Sequence, residues 1–324
     1  MIKFSYKDKE IRSGGETILC GIVNVTPDSF SDGGKWYGKE KAVNRALELI
    51  DRGAKMLDIG GESTRPGSTR VANEEEIARV VPVIEELKKR TDVAISVDTW
   101  KADVAEEAIK AGADIINDIT GFLGDEKMAE VVADSDAGAI LMYNPVIQRP
   151  DHEGSKIFPS FEGKNAFTDV EREKMNAMEI TDAMEFYLRR SLEVAHKAGV
   201  KDERIMLDPG IGFGLTKREN LILLRNCVKV FHDMGYLAFI GVSRKRFIVN
   251  ILNDLGFNMD TETEEGRENR EKGSAVLTAI AAYQGAEVLR VHSIPDHLIA
   301  RTIADGVRLA ESQEDLNFGS YKNK

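Results

Sequence analysis

The chain has 324 residues, 42% hydrophobic and 31% charged, an ordinary balance for a globular protein. Its net charge of −11 argues against a nucleic-acid backbone as partner and fits a solvated surface. No apolar run approaches the roughly 20 residues of a membrane span, and the start, MIKFSYKDKE, is too polar for a signal peptide, so a cytoplasmic location is expected. Cys20 and Cys227 form no metal spacing and no disulfide framework, and both read as core thiols.

Residues 1–19 read as a small hairpin, placed to plug the N-terminal end of a barrel. Alternation then begins. LCGIVNV (19–25) is the first strand, followed by helical spacing at Val43, Ala46, Leu47 and Ile50. MLDIGG (56–61), VAISVD (93–98), DIINDI (114–119) and GAILMY (138–143) are the next four, with amphipathic helices between them. A polar stretch at 144–180 reads as an inserted loop with one helical piece around 169–178. RIMLDPG (204–210), LAFIGVS (237–243) and EVLRVH (287–292) are the last three strands, and 252–270 reads as an acidic excursion. Eight strands alternating with helices predict a single (β/α)8 TIM-barrel domain over 1–324.

The polar residues cluster at strand ends. Asn24, Asp58, Asp98, Asn117, Asp208, Ser243 with Lys245, and Arg290 with His292 all fall at or near the ends of apolar runs. Around one barrel mouth they form one site. Asp98, Asn117 and Asp208 suit a flat heterocycle with a guanidine-like edge, though each could instead cap the following helix. Ser243-Arg244-Lys245-Arg246 and Arg290-Val291-His292 follow the seventh and eighth strands, where barrels often bind phosphate. Lys245 could alternatively form a Schiff base. His196, His232 and His297 read as structural or surface residues. The loops opened by Asn24 and by Gly60-Gly61 carry glycine hinges and could close over a substrate. The glycines of GIGFG (210–214) do not match a dinucleotide fingerprint.

The runs GIVNVTPDSFSDGG, DIGGESTRPGS, SVDTWKADVA, INDITG, LDPGIGFG, GVSRKRF and RVH resemble dihydropteroate synthase of folate biosynthesis, in order and from about residue 19 to the last helix. The 144–180 stretch is similar to the longer loop of streptococcal-type members. The resemblance implies a TIM barrel that joins 6-hydroxymethyl-7,8-dihydropterin diphosphate to p-aminobenzoate, with sulfonamides as competitors. It implies a pterin site of Asp98, Asn117, Asp208 and Lys245. It implies a diphosphate site of Asn24, Arg290 and His292 with Mg2+, Asn24 being the metal ligand. Phe30, Asp32, Thr64, Arg65, Pro66 and the Ser243–Arg246 turn would frame p-aminobenzoate. The implied mechanism is dissociative, with Asp32 and Asp208 stabilising a pterin-methyl cation, and Arg65 and Lys245 also acting in catalysis. A homodimer through the last barrel helices is expected by analogy.

Three positions depart from the family pattern. Ser293 stands where Asp is common, Tyr143-Asn144 where His is common, and Arg246 where Ser is common. The last removes a side-chain hydroxyl contact to the p-aminobenzoate carboxylate, which a backbone N–H could replace. The competing readings are a corrinoid-linked folate methyltransferase barrel, a Lys245 Schiff-base aldolase and a non-catalytic pterin-binding paralogue.

Overall fold

The structure is a computed structural model that describes residues 1–26, 35–163 and 166–315. β1 (Lys3–Tyr6) and β2 (Lys9–Arg12) pair as an antiparallel hairpin. β3 (Ile18–Asn24), β4 (Met56–Gly60), β5 (Ala94–Asp98), β6 (Ile115–Asp118), β7 (Gly138–Met142), β8 (Ile205–Asp208), β9 (Leu237–Gly241) and β10 (Val288–Val291) form a closed parallel barrel, with β10 bonded back to β3. The helices are α1 (Lys35–Asp51), α2 (Asn73–Lys88), α3 (Ala102–Lys110) and α4 (Met128–Ala133), one after each of β3 to β6. After β7 come α5 (Pro145–Gln148), α6 (Glu153–Lys156), α7 (Asp169–Asn176) and α8 (Ile180–Ala198). α9 (Lys217–Met234) follows β8, α10 (Arg246–Asn253) and α11 (Glu264–Tyr283) follow β9, and α12 (Pro295–Arg308) follows β10. The expected α/β barrel is the observed fold.

Two segments differ from the sequence reading. The inserted stretch holds the expected helix α7, but also the four-residue helices α5 and α6. Each of these is started by a local cap: Asn144 accepts from Val146 N and His152 from Gly154 N. The acidic excursion narrows to the residues between α10 and α11, because Thr263 caps α11 earlier than its apolar pattern suggests. Longer helices follow ordinary rules. α9 starts with a reciprocal Thr216–Glu219 capping box and ends at Gly235, whose φ of 93° completes the C-terminal cap.

Inside the barrel, side chains two residues apart share the inward face. Cys20, Met56, Ala94, Ile115, Ile140, Met206, Phe239 and Val288 form an apolar lower tier. The hairpin closes that end, as expected: Phe4, Tyr6 and Ile11 join the same cluster. Phe4 is fully buried, and a Cβ on Gly138 would lie 2.4 Å from its ring, so the close approach requires glycine there. Lys7, in the hairpin turn, pairs with Asp114 at 3.0 Å and pins the hairpin to the barrel rim, while Lys88 of α2 pairs with the same carboxylate at 3.0 Å. Phe4→Leu should cost about 1 kcal/mol, the usual penalty for an imperfect apolar swap. Urea unfolding measures it, and turnover should stay unchanged because the ring lies at the end away from the strand tips.

Candidate active site

The second tier of the barrel turns polar. On β4 the inward residues are Met56, Asp58 and Gly60, so Asp58 sits mid-strand rather than at a strand tip. It is fully buried. Arg290, inward from β10, donates Nε to Asp58 and Nη2 to Asp98 Oδ2 at 2.6 Å. Asn117 Nδ2 donates to the same Asp58 oxygen at 3.1 Å. One guanidinium thus ties two strand carboxylates together, and Asp58 fixes the amide orientation of Asn117.

Asp98 and Asn117 are register partners on β5 and β6. Neither caps a helix. Lys101 is the N-cap position of α3, and beyond β6 the backbone N–H groups of Thr120 and Phe122 bond Asp118 instead. Burial pushes Asp98 up to about 7, with Arg290 opposing and Asp58 and Asp208 adding to the rise. Asp208, at the end of β8, accepts Gly210 N–H at 2.7 Å. Burial raises it to about 6, against the pull of that hydrogen bond, Lys245 and Arg290. Lys245 is lowered to about 8 by burial, opposed by Asp208. Its Nζ donates to Ile211 O at 2.6 Å and lies 5.5 Å from the Phe213 ring centre. Gly212 passes so close that a Cβ would meet Lys245 Cδ at 2.9 Å, and its φ is +89°.

Beside this acidic floor lies a cationic rim. His292 is held neutral by burial and then by Arg244, Arg290, Arg65 and Lys245, all close enough to disfavour a further charge. Its Nδ1 lies 3.1 Å from Ser243 Oγ. Arg244 adopts φ +58°, a strained conformation for a non-glycine residue. It is kept there by its N–H to Ser274 Oγ at 2.9 Å and by Glu271 at 3.1 Å. Glu271 is in turn bonded by buried His297, so that histidine is structural, as expected. This rim suits an anion, and the tier beneath suits a flat ring bearing N–H donors.

A sequence model described as pterin binding enzyme matches residues 20–292. The dihydropteroate synthase of Bacillus subtilis (strain 168) is 41% identical over 290 residues, 90% of this chain and 86% of its own. A crystal structure of the Clostridium difficile dihydropteroate synthase in the presence of pteroic acid superposes with TM-score 0.76 at 36% identity, covering 92% of this chain and 98% of that one. The Xanthomonas albilineans dihydropteroate synthase with 4-aminobenzoic acid gives TM-score 0.74 at 35% identity, covering 90% and 93%. The chain belongs to the dihydropteroate synthase family.

For this synthase the expected site residues are placed as follows. Asp98, Asn117, Asp208 and Lys245 lie together at the barrel mouth with Arg290, Ser243 and His292. Asn24 ends β3 at the same mouth. Thr64 is half-buried, while Arg65 and Pro66 are exposed on the loop after β4. Arg246 opens α10 and points to solvent. Phe30 and Asp32 lie outside the described residues. Tyr143 and Asn144 are structural: Tyr143 bonds Gln148, and Asn144 bonds Ile119 O at 2.9 Å. The residue that the sequence reading left without a role is Asp58. Its inward parity with Met56 was the available signal.

Proposed function

We propose that this dihydropteroate synthase condenses 6-hydroxymethyl-7,8-dihydropterin diphosphate with p-aminobenzoate through the residues gathered at the mouth of β3 to β10. The observation that carries the reading is the pairing of a buried acidic pocket with a cationic rim. Asp208 and Asp98 accept the ring and exocyclic N–H groups, Asn117 supplies a matched amide, and Lys245 donates to the ring. Arg290, His292 and the rim arginines hold the diphosphate. The C–O bond to diphosphate breaks first, and its electron pair leaves with the phosphate oxygens. The resulting pterin-methyl cation is delocalised over the ring, where Asp208 stabilises it, a role that the family resemblance also gives to Asp32. The arylamine nitrogen then forms the new C–N bond and loses a proton. No strong base is required, because an arylamine attacks a cation before it is deprotonated. A corrinoid-linked methyltransferase would need the acidic pocket but not the cationic rim.

Mg2+ fits this site as a partner of the substrate rather than as a caged ion. Among the described residues no three acidic, cysteine or histidine side chains converge on one point. Asn24 would hold it through a neutral oxygen, with diphosphate oxygens and water completing a hard-oxygen shell. When bound, Mg2+ offsets the charge that builds on the leaving diphosphate. The cytoplasmic location expected from the sequence belongs to this proposal as well. The deciding experiment mixes the protein, Mg2+, labelled p-aminobenzoate and dihydropterin diphosphate. Labelled dihydropteroate, abolished by Asp208→Ala, supports the reading. Pterin binding without product would favour a binding paralogue, and corrinoid-dependent methyl transfer the methyltransferase.

A homodimer is part of the same proposal. Val276, Ile280 and Tyr283 on α11 and Ile299, Ile303 and Val307 on α12 are all at least 42% exposed. The two helices pack side by side, so the six side chains make one apolar face. Monomers rarely leave such a patch uncovered, and a two-fold axis would bury it against its own copy. Ile303→Asp should shift the protein from dimer to folded monomer in sedimentation equilibrium. An unchanged mass would sink the assignment of this face.

A further inference from the structure

The loop after β4 carries Thr64, Arg65 and Pro66 over the mouth, and it is held from two sides. From beneath, buried Lys101 donates to Glu62 at 2.6 Å, to Val71 O at 2.6 Å and to Glu76 at 2.7 Å. Glu62 also accepts Trp100 Nε1 at 3.0 Å and Val71 N at 2.7 Å, closing the base of the loop. From outside, the inserted segment between α5 and α7 reaches over. Gly67 N bonds Ile157 O at 3.0 Å at the loop tip. Phe161, 5% exposed, meets Trp100 edge-on at 5.9 Å, and Glu162 pairs with Arg70, whose guanidinium lies over the Trp100 ring, 4.7 Å from its centre. The same segment is fastened across the mouth. Arg149 grips Glu219 with both nitrogens, at 2.8 and 2.7 Å, and Phe158 stacks on Phe213, the ring beside Lys245.

We propose that residues 149–163 act as a positioning clasp for p-aminobenzoate: they set the height and orientation of Thr64-Arg65-Pro66 relative to the glycine loop after β8. This inference rests on the synthase reading above. None of these clasp residues is placed against the reacting atoms, so they act through the loop they hold. The loop is then one wall of the second-substrate site, held from beneath and from outside.

Phe161→Ala tests it. The KM for p-aminobenzoate should rise about 5- to 10-fold, the loss expected of one aromatic edge contact. The KM for dihydropterin diphosphate should stay unchanged, because Asp98, Asn117 and Asp208 are held by other elements. Amide exchange at Gly67 should accelerate without a matching change in the barrel strands. Phe161→Tyr should restore the wild-type values. Arg70→Gln, on the surface and harmless to folding, should give a smaller rise in the same KM alone. A flat KM for p-aminobenzoate, or a parallel rise in both KM values with global loss of amide protection, would overturn the clasp. Wild-type protein that makes no dihydropteroate would instead sink the synthase reading itself.

Discussion

Asp208→Asn should lower kcat/KM for dihydropterin diphosphate by about 10³-fold. The carboxylate is buried at the end of β8, and the Gly210 N–H holds Oδ1 in place at 2.7 Å. It therefore meets a pterin edge already oriented. A guanidine-like edge presents two N–H donors, and a carboxylate accepts both. Asparagine accepts one and turns an NH2 toward the other. The loss of one charge-assisted bond plus one stranded donor is worth about 4 kcal/mol, or three decades in rate constant. The same residue predicts a pH effect. Asp208 is raised from 3.8 to about 6 in the free chain. Its raised value favours the fold at pH below about 4, and that contribution fades as pH rises through 6. Pterin binding has the opposite sense, because only the ionised form accepts both donors. Affinity should thus fall as pH drops from 7.5 to 5.5. Calorimetric titration at those two values reads it, and affinity that does not vary with pH would contradict the assigned role.

The second large effect is on stability. Arg290→Met removes the shared partner of fully buried Asp58 and largely buried Asp98 and leaves both without their direct ion pair. Breaking such a buried set typically costs about 3–5 kcal/mol. Asp58 is the more exposed to this loss in energetic terms, since its Oδ1 has no hydrogen-bond partner even in the intact protein. The sign with pH is fixed by Asp98, which sits near 7 with Arg290 present and rises further without it. A raised carboxyl contributes stability below its unfolded value of about 3.8 and loses it as pH climbs through the folded value. The defect in the variant should therefore be small at pH 5 and grow toward pH 8. Denaturant unfolding at both values measures this, and Asp58→Asn in the same chain should recover part of the loss. A defect of equal size at both pH values would mean that packing, not charge, is what Arg290 supplies.

Strand periodicity and the placement of Asp98, Asn117 and Asp208 at strand ends made the barrel and its acidic pocket legible. The Arg290 partnership was not, because its contact to Asp58 spans 232 positions and exists only once β10 closes onto β3. Reading Arg290 as a phosphate ligand alone left out its structural half. The anchor beneath the second loop was hidden for the same reason. Lys101 looks like a surface lysine after a strand, yet three segments converge on it in the folded chain. Helices α5 and α6 are too short to show a period, and only their caps betray them.

The hairpin under the barrel has a bearing on how the chain is made. Phe4 leaves the ribosome well before its barrel-floor neighbours, which run through Met206 and Leu237 to Val288. The floor of the barrel cannot be sealed until the last strand has been synthesised. Early folding must then proceed with an open lower end, held by the local β/α pairs alone. Contacts this distant in sequence form slowly, and the exposed apolar tier is a target for holdase chaperones during that interval. The hairpin, made ahead of every barrel strand, can be seated fully only once β10 is in place.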